Sequence, residues 1–209
     1  MERVSIQHVW KKMDGNDVLK DINLELDQKD IHVLVGENGS GKTMLIRILA
    51  GSVHPTKGRI LFGGLEREKA DLTVGVMIEH ASLYPDFSAM ENLELLAGIR
   101  KRITKEEIRN AIKRVGLDPK DKKPFRKYSL GMKQRLLLAQ AVMEKPDILL
   151  LDEPTNTIDK EGKELFYQII EEEHQRGAWI LIASHSEQDI DVLGNHIIHI
   201  DQGRIVEYK

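Results

Sequence analysis

The sequence predicts an α/β protein built on a largely parallel sheet, with a helical lobe inserted partway along the chain. Three observations predict it. Short β-rich runs alternate with longer helical patterns, residues 88–145 carry helical patterns throughout, and apolar strands return after them. In chain order, RVSIQHVW, DINLEL and the continuous apolar run IHVLV read as strands, so that the first 60 or so residues are strand-rich. KTMLIRILAG reads as an amphipathic helix closed by Gly51, and GRILFGG as a strand ended by glycines. SAMENLELLAGIRK, TKEEIRNAIKRVGL and MKQRLLLAQAVM then follow with helical spacing. DILLLD, AWILIAS and HIIHI return as apolar strands separated by helical stretches, and QGRIV supplies a turn and a short closing strand. No internal repeat or low-complexity segment interrupts this order.

Composition bounds the function. A chain of 209 residues fits one domain with a large core, here taken as 1–209 with the helical insertion at about 88–145. With 31 Lys plus Arg against 34 Asp plus Glu, the net charge of -3 calls for no nucleic-acid partner. The longest apolar runs, such as AWILIA, fall far short of the roughly 20 residues of a membrane span. The start, MERVSIQHVWKKMD, has no apolar signal-peptide core, and there is no cysteine, so a soluble cytoplasmic protein is expected. Charge is uneven along the chain: residues 100–127 hold twelve Lys or Arg and four Asp or Glu. This segment reads either as a solvated helix face or as a docking surface for a membrane subunit near anionic lipid.

The most specific signal is GENGSGKT at 36–43, which matches G-x-x-x-x-G-K-[ST] without substitution. Phosphates concentrate negative charge, so a loop that binds them needs converging backbone N–H groups, which glycine permits. Gly36, Gly39 and Gly41 provide that freedom, and Glu37, Asn38 and Ser40 complete the loop. Lys42 suits the β- and γ-phosphates, Thr43 suits Mg²⁺, and the following helix adds its positive end. The strand ILLLDE places Asp152 and Glu153 at its carboxyl end, where a doubly wound sheet faces its phosphate loop. Asp152 there suits the Mg²⁺ shell and Glu153 a general base for water. AWILIASHS ends a further strand in His185, whose imidazole could bond a γ-phosphate or hold the water. Ser129, in YSLGMKQR, reads as a helix N-cap or as part of a helix start that meets phosphate; Asp159 reads equally as an N-cap.

GENGSGKT, YSLGMKQR, ILLLDEPTNTID and IASHS, in this order, resemble the nucleotide-binding subunit of an ABC transporter over nearly the whole chain. The resemblance implies a P-loop NTPase core with an antiparallel β subdomain and an inserted α-helical subdomain. It also implies that GENGSGKT is the Walker A loop and ILLLDE the Walker B strand, that Ser129 and Gly131 belong to a signature loop acting in trans, that Asp159 belongs to the D-loop, and that His185 is the switch histidine. The signature departs from the usual LSGGQ at Leu130 and Met132, and Glu79 stands where a glutamine sensing Mg²⁺ and the membrane partner is usual. A carboxylate binds Mg²⁺ at least as readily as an amide oxygen but adds negative charge beside a triphosphate. Both variants resemble the branch that exports peptides and drugs, including bacitracin and lantibiotic exporters. Met13 aligns with the ring that stacks on adenine, with Trp10 as the substitute.

The implied function is an Mg-ATP-hydrolysing subunit that dimerises head to tail and drives a separate membrane permease from the inner face of the membrane. The alternative is a soluble ATPase of the same type acting on ribosomes or DNA. Against it stand the single ATPase unit, the absence of a long coiled-coil insertion and the nearly neutral charge.

Overall fold

The computed structural model describes residues 3–67, 69–78 and 83–208. Strands β1 (Arg3–Met13) and β2 (Asn16–Asp27) form an antiparallel hairpin. Its turn residues, Asp14 and Gly15, both have positive φ, 48° and 83°. A two-residue turn of that hand matches the twist of the strands it joins, so pairing continues through KKM and NDVLK. Both strands are thus longer than their apolar runs suggest. β3 (Ile31–Val35) leads into α1 (Lys42–Leu49), followed by β4 (Lys57–Phe62), β5 (Leu65–Glu66) and β6 (Val74–Met77). β5 and β6 are missing from the strands that the sequence predicts, because two and four residues are too few to show a period.

Helices α2 (Ala89–Arg100), α3 (Lys105–Arg114) and α4 (Leu130–Val142) come next, with a single 3₁₀ turn at Phe125–Lys127. α2 and α3 begin with capping boxes, Ser88 with Glu91 and Thr104 with Glu107, each satisfying two otherwise orphaned amides. The chain closes with β7 (Ile148–Asp152), α5 (Lys160–Gln175), β8 (Trp179–Ala183), α6 (Glu187–Leu193), β9 (His196–Asp201) and β10 (Arg204–Tyr208).

Two sheets result, a four-stranded one ordered β2-β1-β4-β5 and a six-stranded one ordered β10-β9-β3-β8-β7-β6. The first is antiparallel; in the second only β10 runs against its neighbour. Every residue of β7 and β8 is buried, because helices or the other sheet cover both faces. Strand alternation divides the interior accordingly. Leu149, Leu151, Ile180 and Ile182 pack with α2 to α5, whereas Ile148, Leu150, Trp179 and Leu181 pack with α1 and the antiparallel sheet. Gly75 lets α4 lie directly on β6, since a Cβ there would stand 2.0 Å from the carbonyl oxygen of Ala141. Because β3, β7 and β8 are parallel neighbours, the loops leaving their carboxyl ends emerge at one edge. Among the described residues, no helix is long and apolar enough to cross a membrane.

Candidate active site

The loop from β3 to α1 turns on Gly41, whose φ of 112° only glycine adopts without strain, and a Cβ there would stand 2.7 Å from Leu19 Cδ2. Gly36 is glycine for a different reason: a Cβ would stand 2.3 Å from the carbonyl oxygen of Ile200, on β9. No side chain caps α1, so the positive end of its dipole opens on the cavity beside it. That cavity holds about 310 Å³ and is lined by Glu37, Asn38, Gly39, Gly41, Lys42 and Thr43, together with Val18, Met44, Arg47, Asp152 and Glu153. Ser40 is buried behind the loop, where its carbonyl accepts a 2.9 Å hydrogen bond from the Gly203 amide.

Lys42 is 6% exposed, and its ammonium donates to the carbonyls of Gly36 at 2.5 Å and Glu37 at 3.2 Å. It also lies 3.6 Å from Glu153 Oε1. The other oxygen of Glu153 is 2.8 Å from Nδ1 of His185. Glu153 therefore joins a cation on one side to an imidazole on the other, and its backbone is held at a φ of 49°. Its amide donates to the carbonyl of Ala183, the last residue of β8. Asp152, 1% exposed, and Thr43 line the same cavity and offer it carboxylate and hydroxyl oxygens. These are hard donors of the kind Mg²⁺ takes alongside phosphate oxygens. Among the described residues, no cluster of three or more His, Cys, Asp or Glu forms a metal cage by itself.

Ser129 and Gly131 lie elsewhere. With Leu130, Met132, Arg135, Thr157 and Asp159 they line a second, separate groove. Ser129 caps α4, accepting from the Met132 amide at 3.2 Å, and remains exposed. Asp159 likewise caps α5, accepting from the Gly162 amide at 2.9 Å, and meets Arg135 at 3.2 Å. The bond from the Gly162 amide, and after it Arg135, holds its carboxyl below the usual range. Both residues thus perform the capping role and also share one open groove.

Neither Met13 nor Trp10 lines the cavity. Met13 ends β1 with 45% exposure, and Trp10 carries the Arg204 guanidinium 6.0 Å from its ring centre. Glu79 lies outside the described residues. Val18 and Arg47 are lining residues that sequence reasoning missed. Arg47 was legible in principle, four residues after Thr43 and so on the same helix face. Val18 carries no such signal, because only the fold brings β2 beside the loop.

Comparisons with known proteins bear on this arrangement. The profile of the family described as ABC transporter matches residues 19–156. The chain is 42% identical over 206 residues to the uncharacterized ABC transporter ATP-binding protein YybJ of Bacillus subtilis (strain 168), covering 97% of this chain and 94% of that protein. It is 34% identical over 207 residues to the lantibiotic transport ATP-binding protein SrtF of Streptococcus pyogenes, covering 99% and 90%. It is also 34% identical over 209 residues to the bacitracin transport ATP-binding protein BcrA of Enterococcus faecalis, covering 98% and 68%. In fold it is similar to a dimeric post-hydrolysis structure of the ATP-binding cassette MJ0796 bound to ADP and Pi. The TM-score is 0.88 at 23% identity, over 99% of this chain and 97% of that one.

Proposed function

Since this chain belongs to the ABC transporter family, we propose that it is the subunit that binds and hydrolyses Mg-ATP to power a separate membrane permease. The observation that carries this reading is the meeting of Lys42, Thr43, Asp152 and Glu153 around one cavity, with His185 bonded to Glu153. The triphosphate enters along the 36–43 loop, and Lys42 turns its ammonium from the Gly36 and Glu37 carbonyls to the β- and γ-phosphates. Mg²⁺, when bound, neutralises phosphate charge, and Thr43 and Asp152 would hold it. Glu153 orients the attacking water and accepts its proton, while His185 keeps the carboxylate turned toward the γ-phosphate. Adenine lies toward the wall formed by Val18.

The partners follow from the same reading: a second nucleotide-binding subunit, met head to tail through Ser129 and Gly131, and a permease at the inner face of the membrane, sensed through Glu79. The names of SrtF and BcrA support export of peptides or drug-like compounds over action on ribosomes or DNA. The test is Glu153→Gln, which keeps the side chain's shape and removes its basicity. ATP affinity stays the same and turnover falls by about 100-fold or more, the scale for losing a positioned base. Turnover near wild type would make Glu153 structural.

A further inference from the structure

One buried carboxylate behind the site takes no part in the chemistry above. Asp189, on α6, is 0% exposed, and no Lys or Arg among the described residues forms an ion pair with it. Hydroxyl groups surround it instead. Thr155 and Ser184 each donate to its Oδ2 at 2.6 Å, and Tyr167 donates to its Oδ1 at 2.7 Å. Burying a carboxylate is costly unless its oxygens accept hydrogen bonds, and these three hydroxyls supply one to Oδ1 and two to Oδ2. Burial, and then the bond to Asp189, push the Tyr167 phenol up, so it remains a donor at any ordinary pH.

The placement of the donors is informative. Thr155 is 3% exposed and stands two residues after Glu153; Ser184 is 1% exposed and immediately precedes His185. Asp189 therefore ties together the two loops from which Glu153, a lining residue of the cavity, and His185 meet at 2.8 Å. That meeting needs outside support. The side chain of His185 is 56% exposed, so little packing fixes it from the solvent side, and Glu153 sits at a positive φ that its surroundings must maintain.

We propose that Asp189 is a positioning residue for ATP hydrolysis, clamping Thr155 and Ser184 through hydroxyl–carboxylate bonds and so holding Glu153 and His185 together as one unit. This rests on the hydrolytic reading of Glu153 and His185. Only an ionised carboxylate accepts from all three hydroxyls without donating. In Asp189→Asn the nitrogen donates in turn, so the two bonds at Oδ2 or the one at Oδ1 must reverse or break. Because Asp189 is fully buried and does not line the cavity, ATP binding is unaffected while the geometry of Glu153 and His185 loosens.

The experiment is a double-variant cycle on the full chain, read by single-turnover hydrolysis of labelled ATP and by calorimetric ATP affinity. Asp189→Asn is expected to lower the hydrolysis rate about tenfold, with affinity unchanged within twofold. In the His185→Ala background the same substitution is expected to change the rate less than twofold, since the contact it serves is already gone. An equal loss in both backgrounds, or a loss of affinity alongside rate, overturns the proposal and leaves Asp189 a structural core group. Wild-type hydrolysis in His185→Ala alone overturns the reading beneath it, and the proposal with it; that single variant tells the two failures apart. Should Asp189→Asn not fold, Thr155→Val and Ser184→Ala each delete one tie and carry the same cycle with the same two outcomes.

Discussion

Residues held in costly states mark the site. Glu153 and Thr157 both have positive φ, 49° and 74°, in a loop that follows a wholly buried strand. For a β-branched residue such as Thr157 that conformation is a genuine outlier, of order 1–3 kcal/mol, and persists only where surrounding structure enforces it. Lys42 and Glu153, each about 6% exposed at the side chain, would be expensive singly and hold each other's charge at 3.6 Å. Lys42 is therefore a structural counter-ion, and in the proposed reaction it is also the group that meets phosphate. Lys42→Ala is expected to abolish tight ATP binding, measured by calorimetry. An affinity equal to wild type within error would remove the 36–43 loop from the nucleotide site.

Among the elements, α2 shows how a single side chain fastens a loop. Asn92, 0% exposed, accepts from the Tyr84 amide at 2.7 Å and donates to the carbonyls of Tyr84, Phe87 and Ser88. Those carbonyls and that amide belong to the segment that enters α2, and Asn92 adds to its backbone pairing, since the same carbonyls accept from the amides of Phe87, Phe125 and Asn92. Asn92→Ala strands the Tyr84 amide and removes the side-chain bonds to the three carbonyls. The expected cost is about 2 kcal/mol, the scale for one donor left unsatisfied, seen as a lowered denaturation midpoint at unchanged slope. A loss under about 1 kcal/mol would mean that water replaces the amide. α3 and α5 are tied by charge instead: Arg114 of α3 meets Glu172 at 2.7 Å and the buried Glu173 at 2.5 Å, both on α5. The helical insertion is thus fastened to α5 by an ion pair with one buried partner.

At the scale of the molecule, the two candidate sites lie apart. The cavity at the 36–43 loop and the groove of Ser129 and Gly131 share no lining residue. In the proposed reaction one chain would cover a γ-phosphate on one side only, and a second copy bringing its α4 start would complete the site. Glu153→Gln with Mg-ATP is expected to elute as a dimer, and adding Ser129→Arg to return it to monomer by placing bulk against the facing loop. A double variant that still dimerises at wild-type affinity would reduce Ser129 to its capping role. The basic segment at 100–127 is partly spent within the chain: Lys105 meets Glu94, Arg109 meets Glu106, Arg114 meets Glu172 and Glu173, and Arg126 meets Asp86.

The sequence by itself determined the glycine-rich loop at 36–43, the Asp152–Glu153 strand end, the place of His185 just past a strand and the alternation of strands and helices. These depend on local chemistry: glycine conformations, residue type at fixed spacing, and apolar periodicity within a few residues. Both N-caps, Ser129 and Asp159, were legible for the same reason. Only the tertiary structure decided that Val18 lines the cavity while Met13 and Trp10 do not, since that depends on how the β1–β2 hairpin lies against a loop twenty residues away. It likewise decided that Gly36 is excluded from bearing a side chain by β9, and that Asp189 joins the Glu153 and His185 loops. Contacts between distant segments follow from strand order and packing, and an isolated aspartate or valine has no neighbour in the chain to disclose them.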